Sequence, residues 1–391
     1  MARGIDAVAG ADRPSLVVVG GGVIGGAVAL AFLDRGWRVV VVDKGAFGQE
    51  ASAAAGGMLC PGAEVWDRAA HAEIFAASGA LHRPWTESLE ARTGIAVRYI
   101  PSGLLRLAGS EAEAEALRRD AAARETPYPA LRPLYLDREA VRAEAPAVAE
   151  DTAGGLLFAS DAQLEPACLL RALRLALARA GGRLLEGVSA LSLIEHGGRI
   201  AGVGTVAGAI LGDLTVVAAG AWSTALLGPW LEMPVVPHKG QRFSVRAEGV
   251  TLRPMLGPQS LVLPRPGGVF VLGATVERVG FDKTPTARAI GDLFAASAAA
   301  VPALAGAAFG ATWAGLRPAT PDEMPYLGAV PGLMGVLVAT GHFTYGIFLA
   351  PLTARIVLAL AEGEAAPVDL SPFRPERHAH GPGVRTWHVA P

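Results

Sequence analysis

Three glycines at fixed spacing and one acid beyond them are the first residues in this chain whose types suggest chemistry. Gly20, Gly22 and Gly25 stand in the GxGxxG arrangement, and Asp43 follows the apolar run Val39 to Val42. In such a turn the first glycine permits the tight reversal and the second lets backbone approach a pyrophosphate. The third lets a helix pack against the preceding strand. Unpaired amides at the helix start carry partial positive charge that holds phosphate oxygens. A carboxylate at Asp43 can accept both hydroxyls of an adenosine ribose. The elements needed to position these groups are legible around them: a buried strand from Leu16 to Val19, an apolar helix, and a second buried strand closing on Asp43. Together they predict a bound dinucleotide. A membrane span over Ser15 to Leu33 competes for so apolar a stretch. The β-branched run, the clustered glycines and the preceding Asp6 and Asp12 argue against it.

Small residues then recur at Ser52 to Met58, Val216 to Gly220 and Thr340 to Ile347. A nicotinamide enzyme would more usually add a second nucleotide-binding half and a catalytic His or Lys nearby. Three returns to one ligand suit an extended FAD better than NAD. The net charge of −2 over 391 residues offers no basis for binding nucleic acid or an anionic membrane surface. The two cysteines, Cys60 and Cys168, belong to no CxxC pair, which points to reduced thiols, a cytoplasmic address and no structural zinc. His378 and His380 lack a third ligand, so no metal site is expected there.

Periodicity predicts helices from about His71 to Thr93, over Glu111 to Glu125, and from Glu165-Pro166 to Ala180, with Gly181-Gly182 as the stop of the last. A strand begins at Arg183, a hairpin begins at Arg199, and a buried strand is expected over Thr215 to Ser223. Val235 to Ala274 alternates with period two and predicts an antiparallel sheet. Gly335 to Gly341 reads as a strand, followed by a turn and an apolar helix to about Ala361. The alanine-rich run Ala296 to Ala308 reads as compositional bias. This order places residues 15–85, 150–222 and 311–377 in a nucleotide domain and 86–149 and 223–310 in a second domain. Residues 1–14 and 378–391 are expected to be flexible ends.

The chain resembles the D-amino-acid-oxidase superfamily of FAD proteins, and within it the glycine-oxidase group that serves thiamin thiazole synthesis. The resemblance rests on VVVGGGVIGGAVA, DKGAFGQEASAAAGGMLCPGAE, DAQLEP, VVAAGAWS, PHKGQ, LPRPGGVFVLGATVE, WAGLRPATPDEMPYLG and GHFTYGIFLAP, which span about residues 15 to 375. It implies an α/β fold: a Rossmann-like FAD-binding domain of glutathione-reductase type with a mostly antiparallel β-sheet substrate domain. It also implies that Val23 and Ile24 lie at the pyrophosphate, with Asp43 and Lys44 at the ribose. Ala51, Ser52, Gly56, Gly57 and Met58 would run along the isoalloxazine. Ala190 would meet the adenine through its backbone, and Gly220 would also border the cofactor. His342, Phe343, Thr344, Tyr345, Gly346, Ile347 and Phe348 would wrap the pyrimidine end, where backbone amides stabilise negative charge. Arg317, in WAGLRP, would border the cofactor and grip the substrate carboxylate with its guanidinium fork. An interdomain salt bridge is its structural alternative.

Two positions depart from the pattern of that group. Where GH[FY]RNG is usual, this chain has Thr344 and Tyr345, which removes an arginine from the turn. Losing one charge-assisted hydrogen bond weakens carboxylate binding by ~1.5–3 kcal/mol. Leu261 stands where the group has a tyrosine before VPR. Both changes suggest a larger or more apolar amine than glycine, with Tyr345, Thr344 and Leu261 at the substrate. Tyr345 is either a hydroxyl donor or a packing wall. His342 is better suited to a structural hydrogen bond than to a base, and Cys60 to a buried small residue than to a covalent attachment.

No side-chain nucleophile, metal or acid–base residue is required, because the amine lone pair drives hydride loss from Cα. The expected reaction is FAD-dependent oxidation of a small amino acid or amine to its imine, with dioxygen reduced to hydrogen peroxide. Its alternatives are a dehydrogenase that passes electrons to a quinone or carrier, and a non-catalytic flavoprotein subunit. The resemblance suggests a homo-oligomer.

Overall fold

The computed structural model describes residues 13–123, 125–257 and 260–379. The chain opens with strand β1 (Ser15–Val19), turns through glycines into helix α1 (Val23–Asp34), and returns as β2 (Arg38–Val42). Helix α1 is apolar on every side because it is covered on every side, and nine of its residues are buried. Gly25 sits where a Cβ would come within 1.9 Å of the Gly20 carbonyl oxygen, and Gly26 where one would meet Phe47 and Leu173 at 2.7 Å. Short helix α2 (Ala51–Ala54), strand β3 (Met58–Leu59), α3 (Pro61–Asp67) and the long α4 (Ala72–Thr93) follow. The last of these ends on Gly94 in the left-handed region, φ 73°, as helix stops often do.

Next come β4 (Leu104–Ala108), α5 (Glu111–Ala123), β5 (Leu134–Asp137), α6 (Arg138–Glu144), β6 (Gly154–Phe158) and β7 (Ala162–Gln163). Helix α7 (Pro166–Arg179) starts on its proline and leads to β8 (Arg183–Leu185), β9 (Ala190–His196), β10 (Arg199–Thr205), β11 (Gly208–Leu211) and β12 (Leu214–Val217). After α8 (Ser223–Leu227) the chain forms β13 (Val236–Arg246), β14 (Met255–Leu256), β15 (Leu261–Arg265) and β16 (Val269–Gly273). Helix α9 (Ala287–Ala300), β17 (Ala308–Ala319), β18 (Tyr326–Ala329), β19 (Val336–Thr340) and α10 (Gly346–Glu362) complete it.

Two large sheets organise these pieces. The first runs β18-β19-β12-β1-β2-β8, with β1 parallel to both β2 and β12. One of its faces is covered by α1, α4, α7 and α10 and the other by the β9–β11 sheet and α8. The second runs β17-β13-β16-β15-β14-β4-β6-β5 and is antiparallel except where β14 meets β4. Phe243 and Val245 of β13 face Ile290 and Leu293 of α9, so one face of this sheet is core and the other is left for a ligand.

Several sequence expectations change. The strand expected over Thr215 to Ser223 ends at Val217, because Gly220 takes φ 55° and turns the chain into a 3₁₀ turn and α8. The alanine run from Ala296 is the continuation of α9, which Thr286 caps by accepting from the Ala289 amide at 3.4 Å. Within the segments 150–222 and 311–377, β8, β12, β18 and β19 join the first sheet while β6 and β17 hydrogen-bond into the second. His378, expected in a flexible end, is held by the Tyr326 hydroxyl at 2.8 Å. Beside it Arg377 pairs with Asp322 and lies 4.0 Å over the Tyr326 ring. Residues 1–12 and 380–391, His380 among them, lie outside the described residues.

Candidate active site

The carboxyl end of the first sheet and the uncovered face of the second enclose a cavity of about 730 Å³. Its nucleotide end is built by the β1–α1 turn. Gly20, Gly22, Val23 and Ile24 line it, and Gly25 does not. Gly25 instead serves the close helix–strand crossing, since any Cβ there collides with backbone. Asp43, at the tip of β2, is held by the Gly21 amide at 2.6 Å and the Gly45 amide at 2.7 Å, and it too lines the cavity. Lys44 pairs with Glu50 at 2.7 Å and lies 3.8 Å over the Trp222 ring.

Along the middle, Ala51 and Ser52 stand at the start of α2, where Ser52 Oγ accepts from the Val23 amide at 3.0 Å. Gly56, Gly57, Met58, Ala190 and Gly220 line the same cavity. Gly57 takes φ 79°, and a Cβ there would be 2.2 Å from the Leu164 carbonyl oxygen. The run from His342 to Phe348 enters from β19 and starts α10, placing its first-turn amides at the cavity. The donor set fits FAD: a glycine cradle at a helix start, an acid at the neighbouring strand tip, and a second helix start far along the same cavity.

His342 is buried, its Nε2 lies 3.0 Å from Thr353 Oγ1, and burial holds its ring neutral, with the pKa lowered to about 3. The lowered pKa leaves it with little affinity for a proton at neutral pH, in keeping with the structural hydrogen bond to Thr353. Tyr345 packs edge-on against Phe75, with centroids 5.1 Å apart, and takes the Arg68 guanidinium over its ring at 5.3 Å. Burial raises its phenol. Thr344 is exposed at the cavity edge. Cys60 lines the wall near Asp161, and burial, then the Asp161 charge, keep its thiol protonated.

The substrate end is set by register in the second sheet. Arg317 of β17 pairs with His238 of β13, and Gly315 with Gly240, so His238, Gly240 and Arg242 share one face with Arg317. The Arg317 guanidinium folds over Gly240, where a Cβ would lie 2.4 Å from both terminal nitrogens. Its Nη1 donates to the Thr275 carbonyl oxygen at 2.8 Å, and burial lowers its pKa. Among the described residues no carboxylate forms an ion pair with it, so the salt-bridge alternative is not realised.

Among the cavity residues that sequence reasoning missed are Arg242, Arg106 and Glu64. Arg242 follows Gly240 by two positions, and the signal was the strand period itself. Arg106, on β4, makes a two-pronged pair with Asp67 at the rim. Glu64 sits on α3, where burial and then the Asp67 charge raise its carboxyl to about 7. Nothing local marks α3, a seven-residue helix, as a cavity wall.

The chain matches the family described as FAD dependent oxidoreductase over residues 15–360. It is 34% identical over 369 residues to the bifunctional protein ThiO/ThiG of Nostoc sp., covering 93% of this chain and 55% of that protein. It thus spans about half the length of such bifunctional relatives. It is 34% identical to the glycine oxidase of Geobacillus kaustophilus, covering 95% of this chain and 99% of the relative. The crystal structure of glycine oxidase from that organism superposes with a TM-score of 0.87 at 32% identity, over 94% of this chain and 99% of that one. No helix among the described residues is long and apolar enough to cross a membrane.

Proposed function

The chain belongs to the FAD-dependent oxidoreductase family, and we infer that it oxidises a small amino acid or N-substituted glycine to the corresponding imine in the cytoplasm. The balance is one amine and one dioxygen giving one imine and one hydrogen peroxide. Bound FAD supplies the two-electron acceptor for the hydride that leaves the substrate Cα. The observation that carries the reading is Arg317, a largely buried guanidinium with no ion-paired carboxylate among the described residues, folded over a glycine and lining the cavity.

What the chain itself does is bind and orient. Gly20, Gly22, Val23, Ile24, Asp43, Lys44 and Ala190 would hold the adenosine and pyrophosphate. Ala51, Ser52, Gly56, Gly57, Met58, Gly220 and the 342–348 run would hold the remainder. Arg317 takes the substrate carboxylate in its fork, which decides which Cα–H bond faces the cofactor. The Thr275 carbonyl accepts from one edge of that fork and fixes its plane. Met58, Leu104, Leu256 and Leu261 line the same end and exclude water from the reacting carbon. No side chain needs to become a nucleophile.

Anaerobic addition of amines to the purified FAD-loaded protein, followed by the absorbance near ~450 nm, tests this reading. Glycine, sarcosine, longer N-substituted glycines and apolar D-amino acids form the panel. Bleaching by at least one amine, with peroxide released on admitting air, is expected. A chromophore that no amine bleaches refutes it, and glycine as the best substrate refutes the shift away from glycine.

A further inference from the structure

The face that carries Arg317 carries a second guanidinium that the oxidation of a simple amino acid does not use. Arg242 lies two residues beyond Gly240 on the same side of β13, about 7 Å further along the strand. It stands in one cross-strand row with Gly273 of β16, Leu261 of β15 and Trp313 of β17. Gly273 clears the way for it, since a Cβ there would lie 2.8 Å from Arg242 Cγ. The side chain then reaches Gly56, where a Cβ would be 2.9 Å from Arg242 Nη1.

This Nη1 is buried and has no hydrogen-bond partner among the described residues. Among the described residues no acid forms an ion pair with Arg242. The nearby Arg265 is already satisfied, donating to Gln163 Oε1 and to the Gly56 carbonyl oxygen. Burial, then Arg317 and Arg265, push the Arg242 pKa down to about 9, which leaves it charged at neutral pH. Acids of the cavity wall are already engaged: Asp67 with Arg106, Glu50 with Lys44 and Lys283, and Glu64 within 4.0 Å of Arg68. Two buried cations on one face, both open to the cavity, leave an excess of positive charge that one carboxylate cannot neutralise.

Accepting the oxidation reading above, we propose that Arg317 and Arg242 form a two-carboxylate site, so that the substrate is an amine bearing a second carboxylate. Arg317 takes the carboxylate beside the reacting carbon and Arg242 takes the other. A compound with two carboxymethyl groups on one nitrogen holds its carboxyl carbons roughly 5 Å apart when extended, and the Arg317 guanidinium lies over Gly240, one strand repeat from the backbone of Arg242. Arg242 crosses the row in which Leu261 stands. The polarity that Leu261 fails to provide is therefore supplied from two strands away, and the expectation of a more apolar pocket is revised on this point.

The test uses the FAD-loaded protein and a pair of ligands that cannot be oxidised at an amine, diglycolate and methoxyacetate. Dissociation constants are read from perturbation of the bound chromophore. Wild type is expected to bind diglycolate about 10- to 100-fold more tightly than methoxyacetate. Arg242→Met should remove most of that ratio, and Arg242→Lys should restore part of it. In turnover, iminodiacetate should exceed sarcosine in kcat/KM by a similar factor, and the same variants should shrink it. Equal binding of the two ligands by wild type overturns the proposal. So does a ratio that survives in Arg242→Met, or loss of FAD from both variants, which would give the guanidinium to the cofactor. If the binding ratio behaves as expected while no amine bleaches the chromophore, the two-carboxylate site stands and the oxidation reading falls.

Discussion

Gly240 gives the sharpest test of how the substrate anchor is positioned. A methyl group added there would sit 2.4 Å from both terminal nitrogens of Arg317 and 2.5 Å from its central carbon, where ordinary contact begins at 3.4 Å. Relief requires the guanidinium to move by about 1 Å. The three nearest atoms are all at the far end of one flexible side chain, so folding should be little affected. The cost falls on orientation, and a misplacement of about 1 Å at a positioning group lowers rate by roughly 100-fold, or ~2.7 kcal/mol. Gly240→Ala is therefore expected to keep its FAD and its melting temperature while kcat/KM for carboxylate-bearing amines falls by about two orders of magnitude. Steady-state peroxide production measures the fall, and the double variant Gly240→Ala with Arg317→Ala assigns it. If the methyl acts by displacing Arg317, the double variant is no worse than Arg317→Ala alone. Additive losses would refute the reasoning.

Three further outcomes follow from the same geometry. Arg317→Ala should raise KM for carboxylate substrates by roughly 100-fold with FAD retained, since a buried charge contact is lost; an unchanged KM places the anchor elsewhere. Gly25→Ala forces a Cβ to within 1.9 Å of the Gly20 carbonyl oxygen, which is backbone and cannot yield cheaply. That variant should purify colourless or insoluble, and a yellow, stable protein would contradict the close crossing of α1 over β1. Burial raises the Asp161 carboxyl to about 8 even though the Gly62 and Ala63 amides donate to it. A raised folded-state pKa means stability fully present below about 3.8 and lost as pH rises through about 8. Between pH ~6 and ~8 this group should cost roughly 2 kcal/mol, seen as a falling melting temperature that Asp161→Asn flattens. Parallel melting curves for the two proteins across that range would rule the assignment out.

The sequence alone carried the nucleotide half of this protein a long way. Gly20, Gly22 and Gly25 act within one turn, each for a reason set by local backbone geometry, and Asp43 needs only the length of one strand to reach the same place. The helices α4, α7 and α10 were legible from local pattern: an amphipathic period for α4, a proline start and the Gly181-Gly182 stop for α7, and an apolar run after a tight turn for α10. The sheet membership of β6 and β17 was not, because pairing joins residues far apart in the chain and leaves no local mark. The same holds for α9, whose alanines look like composition until Ile290 and Leu293 are seen against Phe243 and Val245. At the substrate end the sequence supplied Arg317 and the absences at Thr344 and Leu261, and read them as a loss of polarity. Only the tertiary structure placed Arg242 in the Leu261 row and Gly240 under the Arg317 fork. Those neighbours are fixed by strand register across β13, β15, β16 and β17, a long-range property decided when the sheet closes and one face is buried against α9.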